Sequence, residues 1–264
     1  MASKPGFAAR SLRAGVLTMT TLAAPSVSPD EAAFFGALAE DWWNPRGSSA
    51  LLHRVGPVRT QFIRDAAIAR FGRDRHLRRP LADLTALDIG CGAGLLAEPL
   101  ARMGAATTAI DAAMENIAAA NVHAAASGLA IDYRATSVEA LAATGHRYDL
   151  ITCMEVVEHV ADRDSFFAGL AALLAPGGLA VLSTPNRTAA SWAVLIAGAE
   201  IITRSIPRGA HDWQRFMTPG ELTGALAAAG LRVTATTGLT WRPAKGFTLG
   251  TDTAIDYFVT AVPA

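Results

Sequence analysis

The segment "LDIGCGAG", residues 87–94, decides the fold. Its first residues are typical of a buried strand, and the glycines that follow are Gly90, Gly92 and Gly94. A glycine loop between a strand and a helix lets backbone N–H groups and the helix N-terminus approach a ligand closely. The dinucleotide fingerprint requires a further glycine where this chain has Leu95, so the loop disfavours a nicotinamide cofactor.

Strands and helices alternate on both sides of this loop. Five apolar segments are separated by stretches long enough for a helix: "LTALDI" (84–89), "ATTAID" (106–111), "LAIDYRA" (129–135), "YDLITC" (148–153) and "LAVLSTPN" (179–186). Two further strands, 231–239 and 254–262, follow a capped helix at 218–230. The alternation predicts crossover connections and a mainly parallel sheet that is buried on both faces.

The chain is predicted to form a tail and one domain. Ser28, Pro29 and Asp30 are N-cap, N1 and first-turn residues, and they mark where the domain begins. The composition before them predicts a disordered tail in preference to a transit peptide, and Met19 is an alternative start. The predicted parts are a tail (1–28) and a single domain (29–264). Within the domain we expect a helical arm (29–80), a cofactor-binding core (84–186) and an insertion (187–215). The second helix of the arm is predicted to run from after Pro57 to Gly72.

Composition excludes several classes of function. The 264 residues contain 23 Lys plus Arg and 23 Asp plus Glu, so the chain has no overall field that would attract nucleic acid. The two cysteines, Cys91 and Cys153, have no paired spacing and favour a reducing compartment such as the cytoplasm over a disulfide framework or a zinc site. No apolar run is a clear membrane span.

Two acids indicate which ligand the loop binds. Asp111 ends the second strand about 20 residues after the loop, where a carboxylate accepts hydrogen bonds from ribose hydroxyls. Asp88 lies in the strand before the loop, where it would repel a pyrophosphate but can pair with an amino group. S-adenosylmethionine has a ribose, an amine and a cationic sulfonium, and it has no phosphate.

Four motifs in this order resemble the class I S-adenosylmethionine-dependent methyltransferases: "LDIGCGAG", "AID", "YDLITCMEVVEHV" and "LLAPGGLAVLSTPN". The resemblance implies an α/β, Rossmann-like, seven-stranded, mainly parallel sheet whose last strand is antiparallel. Residues 31–262, with "STPNRTAASW" and "GLTWRPAKGFTLG", resemble more narrowly the ubiquinone-pathway O-methyltransferases. That family implies transfer of a methyl group to polyprenyl-substituted catechols, at both O-methylation steps of the pathway. Two alternatives stay open: a methyltransferase for another small phenol or acid, and a non-catalytic scaffold that binds a lipid head group.

The resemblance also implies the cofactor contacts. Arg59 matches the arginine that reaches the methionyl carboxylate, and Met154 lies at the carboxyl edge of the sheet. Many relatives carry an acid for the adenine amine after the third strand, but this chain has "RATSVEAL" there, so Ser137 and the Val138 backbone are the candidates. The full predicted set is Arg59, Asp88, Gly90, Cys91, Gly92, Asp111, Ser137 and Met154.

The segment "EVVEH" carries the predicted catalytic groups. If it is helical, Glu155, Glu158 and His159 stand on one face, where two carboxylates and an imidazole can hold a divalent ion or act as general base. The resemblance favours a metal, and we expect Mg²⁺ to stabilise the phenolate, with His159 as the base if there is none. The alternative is an exposed first turn whose acids interact with the helix dipole.

The insertion predicts a contact with a membrane surface. Residues 189–205 are too short to span a bilayer, but they would give an apolar helical surface flanked by Arg187, Arg204 and Arg208. A lid packed on the domain's own core is the equal alternative. Because a polyprenyl substrate resides in the bilayer, we expect a cytoplasmic protein that is peripheral on the inner face of the membrane, and we expect association with other proteins of the pathway.

Overall fold

The structure is a computed structural model, and it describes residues 26, 28–37, 41–47, 49–196 and 212–264. The predicted tail therefore lies outside the described residues apart from Ser26 and Ser28, as do residues 197–211 of the predicted insertion. Among the described helices, none is long and apolar enough to cross a membrane.

One sheet of eight strands forms the centre of the domain, in the order β3-β2-β1-β4-β5-β8-β6-β7. The first five strands pair in parallel, and β8 is antiparallel to both of its neighbours, β5 and β6. This confirms the predicted class: a mainly parallel sheet with a last antiparallel strand. The strands are β1 (Thr85–Ile89), β2 (Ala106–Asp111), β3 (Asp132–Ala135), β4 (Tyr148–Met154), β5 (Leu174–Pro185), β6 (Leu231–Arg242), β7 (Gly246–Gly250) and β8 (Asp256–Pro263).

An eighth strand extends the seven that were predicted. β6 continues three residues beyond its predicted end and turns back as β7, which pairs with it from Gly238↔Gly250 to Arg242↔Gly246. The sequence "GFTLG" gives β7 only three residues between its glycines, too few for an alternating pattern to be recognised. The domain therefore ends its sheet in a β-hairpin.

Two predicted helix caps are present. The Glu31 N–H donates to Ser28 Oγ at 3.2 Å at the start of the first helix, and Thr218 forms a capping box with Glu221 at the start of the last. The described helices are α1 (Pro29–Gly36), α2 (Ala50–Phe71), α3 (Ala97–Arg102), α4 (Met114–Ala126), α5 (Val138–Ala142), α6 (Arg163–Leu173), α7 (Ala189–Ser191) and α8 (Pro219–Ala228).

The second helix begins earlier than predicted. α2 starts at Ala50 and contains Pro57, although a proline in a helix interior removes one backbone hydrogen bond. The turn before Pro57 contributes Val55, which is buried against Leu239 and Phe258 of the sheet. Packing of this first part of α2 outweighs the cost of the proline.

Apolar clusters cover the sheet on both faces. On one face, side chains of α5, α6 and α8 pack on the central strands, and on the other face the helices are α2 and α3. The parallel strands between them are almost fully buried, as the sequence predicted. This arrangement brings the carboxyl ends of β1, β2, β4 and β5 to one edge of the sheet.

Candidate active site

The glycine loop leaves β1 in a conformation that needs glycine. Gly90, Gly92 and Gly94 have φ values of 68°, 52° and 92°. A Cβ at Gly90 would collide with the Val156 side chain. The N–H groups of Gly90 and Cys91 both donate to the Ile110 carbonyl of β2, which fixes the loop to the neighbouring strand.

Asp111 holds the loop and closes β2, at the position where the sequence predicted a ribose partner. Its Oδ2 accepts from the Gly92 N–H at 2.9 Å, and its Oδ1 accepts from the Ala113 N–H at 2.9 Å and from Asn116. Burial raises the pKa of this carboxyl, and the hydrogen bonds oppose that effect. A carboxylate of fixed orientation therefore lies beside the loop.

Asp88 is a buried acid with one unused oxygen. Its Oδ1 accepts a hydrogen bond from Thr152 Oγ1 at 2.7 Å, whereas its Oδ2 has no partner among the described residues. Burial raises the pKa of Asp88 to about 7. Such an oxygen is costly to bury unless a ligand uses it.

Arg59 complements Asp88. It lies on α2 and pairs with Glu155 Oε1 at 2.9 Å, while its own buried Nε has no partner among the described residues. Its charge also favours the ionised form of Asp88. An unused acceptor and an unused donor match the ammonium and the carboxylate of an amino-acid end, so these residues fit S-adenosylmethionine.

The other predicted cofactor residues differ in what their side chains do. Cys91 is buried among Ala97, Ala109 and Ile117, so only its backbone is available to a ligand. Met154 is partly buried and packs on the apolar side chains of α2 and β6. Ser137 Oγ accepts from the Ala140 N–H at 3.2 Å as the N-cap of α5, and its part in adenine binding stays a prediction.

A loop that the sequence analysis did not single out lies on the glycine loop. We call residues 41–47 the tryptophan loop. Its Trp42 ring would lie 2.6 Å from a Cβ at Gly92, and its Trp43 Nε1 donates to the Ala93 carbonyl at 3.0 Å. Trp43 also stacks on His123, with ring centroids 3.4 Å apart. The helical arm thus reaches the site through two aromatic side chains.

The segment "EVVEH" is not a helix, which corrects the prediction. Glu155 has a φ of 56°, and the residues after it form a turn. A left-handed residue at the end of β4 reverses the chain before a helical turn can form. Glu155 accepts a hydrogen bond from Ser183 of β5, so it points across the edge of the sheet and pairs with Arg59 there.

Glu158 and His159 are buried, which contradicts an exposed first turn. Glu158 is 2% exposed, its Oε2 accepts from Thr184 Oγ1 at 2.9 Å, and burial raises its pKa well above the usual range. His159 Nδ1 lies 3.1 Å from Glu31 Oε2, and His159 Nε2 lies 3.9 Å from Glu158 Oε1. The imidazole therefore stands between two carboxyl groups from different parts of the chain.

The sequence analysis did not identify three further residues of this region as site residues: Glu31, Arg215 and Asp256. Glu31 of α1 accepts from Arg215 Nη1 at 2.7 Å as well as contacting His159, and Arg215 also donates to the His159 carbonyl. Asp256 begins β8, and burial raises its pKa well above the usual range. The apolar pattern of residues 257–262 identifies β8, but it does not predict that Asp256 lies close enough to Glu158 to raise the pKa of that carboxyl, or close enough to Glu155 to have its own pKa raised.

The predicted Mg²⁺ site does not fit this arrangement. Within the described ranges, no three His, Cys, Asp or Glu side chains are grouped so that they could hold a metal ion. Glu155 is paired with a guanidinium, and His159 is paired with Glu31. Glu155, Glu158 and His159 are neighbours, but they are not arranged as one ligand set.

Comparisons with known proteins identify the family. A family model described as a methyltransferase domain matches residues 59–236. The chain is 45% identical to a ubiquinone biosynthesis O-methyltransferase of Methylobacterium nodulans, over 92% of this chain and 98% of that relative. It is 47% identical to one of Parvibaculum lavamentivorans, over 89% and 94%.

Solved structures share the fold. The magnesium protoporphyrin IX methyltransferase of Synechocystis PCC 6803 with bound SAH gives a TM-score of 0.59 at 20% identity, over 88% of this chain and 98% of that one. A 1,6-didemethyltoxoflavin-N1-methyltransferase of Burkholderia thailandensis gives 0.56 at 19% identity, over 91% and 92%. At these identities the likeness shows the fold alone.

Proposed function

The chain belongs to the S-adenosylmethionine-dependent methyltransferases, in the family of the ubiquinone biosynthesis O-methyltransferases, and from this premise we propose that it methylates phenolic hydroxyls of polyprenyl-substituted catechols. We extend the proposal to both O-methylation steps of the ubiquinone pathway. The relatives support the reaction through 43–48% identity over most of the chain.

The cofactor residues bind and orient the methyl donor. Asp88 and Arg59 receive the ammonium and carboxylate of S-adenosylmethionine, and Asp111 receives the ribose. The cofactor, when bound, supplies the electrophilic methyl group on its sulfonium. Because Asp88, Asp111 and Arg59 lie around one end of the sheet, they fix the direction from which the phenol oxygen approaches.

His159 takes the proton of the phenol in this proposal. A phenol has a pKa of about 10, so at neutral pH the oxygen needs a base as it attacks. The new O–CH₃ bond forms as the S–CH₃ bond breaks, S-adenosylhomocysteine leaves, and the proton passes to His159 Nε2 and then to water. The Glu31 carboxylate at Nδ1 stabilises the imidazolium that results.

Mg²⁺ takes part in no step of the proposed reaction, and an activity assay tests whether the enzyme needs it. Activity in EDTA, and after Mg²⁺ is added back, shows whether the acidic side chains rearrange to bind a metal. Full activity in EDTA leaves His159 as the base, and loss with recovery assigns Mg²⁺ to the reaction.

One observation carries the proposal: Asp88 has a buried unused acceptor, and Arg59, which pairs with Glu155 of the "EVVEH" segment, has a buried unused donor. The test is calorimetry with S-adenosylmethionine and with NAD, followed by methyl transfer to a short-chain catechol. We expect the protein to bind S-adenosylmethionine and not NAD, and we expect the catechol to be methylated. Binding without transfer to any phenol would favour a scaffold, and transfer to unrelated phenols or acids would favour the other alternative.

We further propose a cytoplasmic, membrane-peripheral location, with other proteins of the pathway as partners. The support is the bilayer residence of a polyprenyl substrate and the apolar character of residues 189–205. Within that segment Trp192 and Val194 are 49% and 46% exposed, and residues 197–205 lie outside the described residues.

A further inference from the structure

The β6–β7 hairpin projects from the same edge of the sheet as the active site. In the ladder, Pro185 at the end of β5 pairs with Asp256, and Asp256 pairs with Leu239 on β6. Leu239 therefore lies level with the carboxyl end of β5. Everything in the hairpin after Leu239, including the turn, extends beyond that end.

Exposure changes sharply along one face of this hairpin. Leu239 and Trp241 point to the same face because they are two residues apart on a strand. Leu239 is 4% exposed and packs against Val55 of α2, whereas Trp241 is 51% exposed. The hairpin thus leaves the body of the protein between these two residues, and the indole is presented to the surroundings.

The tip has a consistent chemistry. We define the hairpin tip as residues 241–245, "WRPAK", and all five residues are exposed. Residues 238–250 contain Arg242 and Lys245 and no acid. In a chain whose charges balance, this is a local positive patch around an exposed tryptophan.

We propose that the hairpin tip is a membrane-contact element that brings the active-site edge of the sheet to an anionic lipid surface. Tryptophan is favoured at the level of lipid head groups, and arginine and lysine beside it pair with lipid phosphates. The proposal rests on the proposed function for the reason a membrane is approached, because the polyprenyl substrate resides there.

A second surface on the same edge supports a lipid partner. α7 begins four residues after the end of β5 and is followed by the exposed Trp192 and Val194. Two exposed tryptophans from distant parts of the chain, Trp192 and Trp241, thus lie toward the carboxyl edge of the sheet, where the candidate active site is.

The experiment measures binding of the full chain to vesicles of phosphatidylcholine with and without phosphatidylglycerol. The variants are Trp241→Ser and the double variant Arg242→Gln/Lys245→Gln. Matched controls are Leu77→Ser and Arg232→Gln, two exposed residues near the opposite, amino edge of the strands. All variants are also assayed for S-adenosylmethionine binding and for methylation of a water-soluble short-chain catechol.

Each cation contributes about 1 kcal/mol at an anionic surface, so the double variant should bind anionic vesicles about 30-fold more weakly. Trp241→Ser should weaken binding to both kinds of vesicle, and the controls should bind as the wild type does. Wild-type binding by the hairpin variants, or no vesicle binding by the wild type, would overturn the proposal. Failure of the wild type to methylate the soluble catechol would instead overturn the proposed function. The vesicle measurements would still decide whether the hairpin tip contacts lipid.

Discussion

At the scale of single residues, the proposed contact of Asp88 with the cofactor predicts that cofactor binding depends on pH. Its pKa is raised to about 7 by burial, so the empty site is mostly protonated below that pH. Only the carboxylate pairs with the ammonium of S-adenosylmethionine. Affinity should therefore rise with pH and be about fivefold higher at pH 7 than at pH 6, until the α-amino group of the cofactor, with a pKa of about 8, begins to deprotonate.

Calorimetry at a series of pH values checks this expectation, and Asp88→Asn is the informative variant. It keeps the size of the side chain and cannot ionise, so its affinity should be lower and flat between pH 6 and pH 7. An unchanged pH dependence in Asp88→Asn would assign the titration to another group.

Asp111 should be required for cofactor affinity. Hydrogen bonds to a charged group contribute about 1.5–3 kcal/mol, so loss of the ribose contacts in Asp111→Ala should raise the Kd at least about tenfold. The variant also releases the Gly92 N–H. Asp132→Ala on the neighbouring strand is the control, because Asp132 makes only a surface ion pair with Arg134. Equal Kd values for the two variants would remove Asp111 from the site.

Glu31 should position His159. The hydrogen bond with His159 lowers the pKa of Glu31, so the carboxylate stays ionised and favours the proton on Nδ1. Because a well-placed general base contributes about 10²–10⁴ in rate, Glu31→Gln should lower kcat by about tenfold or more while the KM for S-adenosylmethionine is kept. Asp30→Asn, on the same helix and exposed, should leave both parameters unchanged. A change in KM alone would make Glu31 merely structural.

The sequence predicted those residues of the site that follow a strand. Asp88, Asp111 and Glu155 each come at the end of a strand of a parallel sheet, and such ends meet at one edge. Glu31 and Arg215 meet His159 across 128 and 56 positions of the chain, and no local pattern encodes such a contact. Arg59 was found through the family resemblance, since a single arginine on a helix is usually solvated.

At the scale of elements, the tryptophan loop should stabilise the glycine loop. Trp43→Phe keeps a ring over His123 and loses the hydrogen bond to the Ala93 carbonyl. A typical hydrogen bond contributes about 0.5–1.5 kcal/mol, so S-adenosylhomocysteine should dissociate about 2- to 10-fold faster. Displacement kinetics measure this rate. Trp241→Phe is the same substitution at an exposed indole away from the glycine loop and should leave the rate unchanged.

The strands and helices could be predicted where burial requires a regular pattern of apolar residues in the sequence. The four parallel strands β1, β2, β4 and β5 are largely buried, and their apolar runs identified them, whereas the edge strand β3 is partly exposed. The start of α2 was wrong because packing of Val55 against the sheet overrides the proline signal. "EVVEH" was wrong because helical spacing also arises by chance in five residues, and the left-handed Glu155 decides its conformation.

At the scale of the whole molecule, the fold brings the predicted cofactor residues, His159 with its neighbours Glu31 and Glu158, the hairpin tip and Trp192 toward one edge of the sheet. The opposite edge carries the starts of the parallel strands and none of the proposed site residues. The two alternatives for residues 189–205, a membrane contact and a lid, make different predictions for this edge.

Point variants separate these alternatives better than deletion of residues 189–205. Ser191 is buried and donates to the Asn186 carbonyl, so a deletion would damage the end of β5 as well as the surface. Trp192→Ser/Val194→Ser changes only two exposed side chains. If residues 189–205 and the hairpin tip contact one bilayer, their free energies of binding add. The factor by which Trp192→Ser/Val194→Ser weakens vesicle binding should then multiply with the factor for Trp241→Ser in the combined variant. Vesicle sedimentation measures this, with S-adenosylmethionine affinity unchanged as the control for folding. A lid would behave differently: Trp192→Ser/Val194→Ser would then raise the KM for the soluble catechol and leave vesicle binding at the wild-type level.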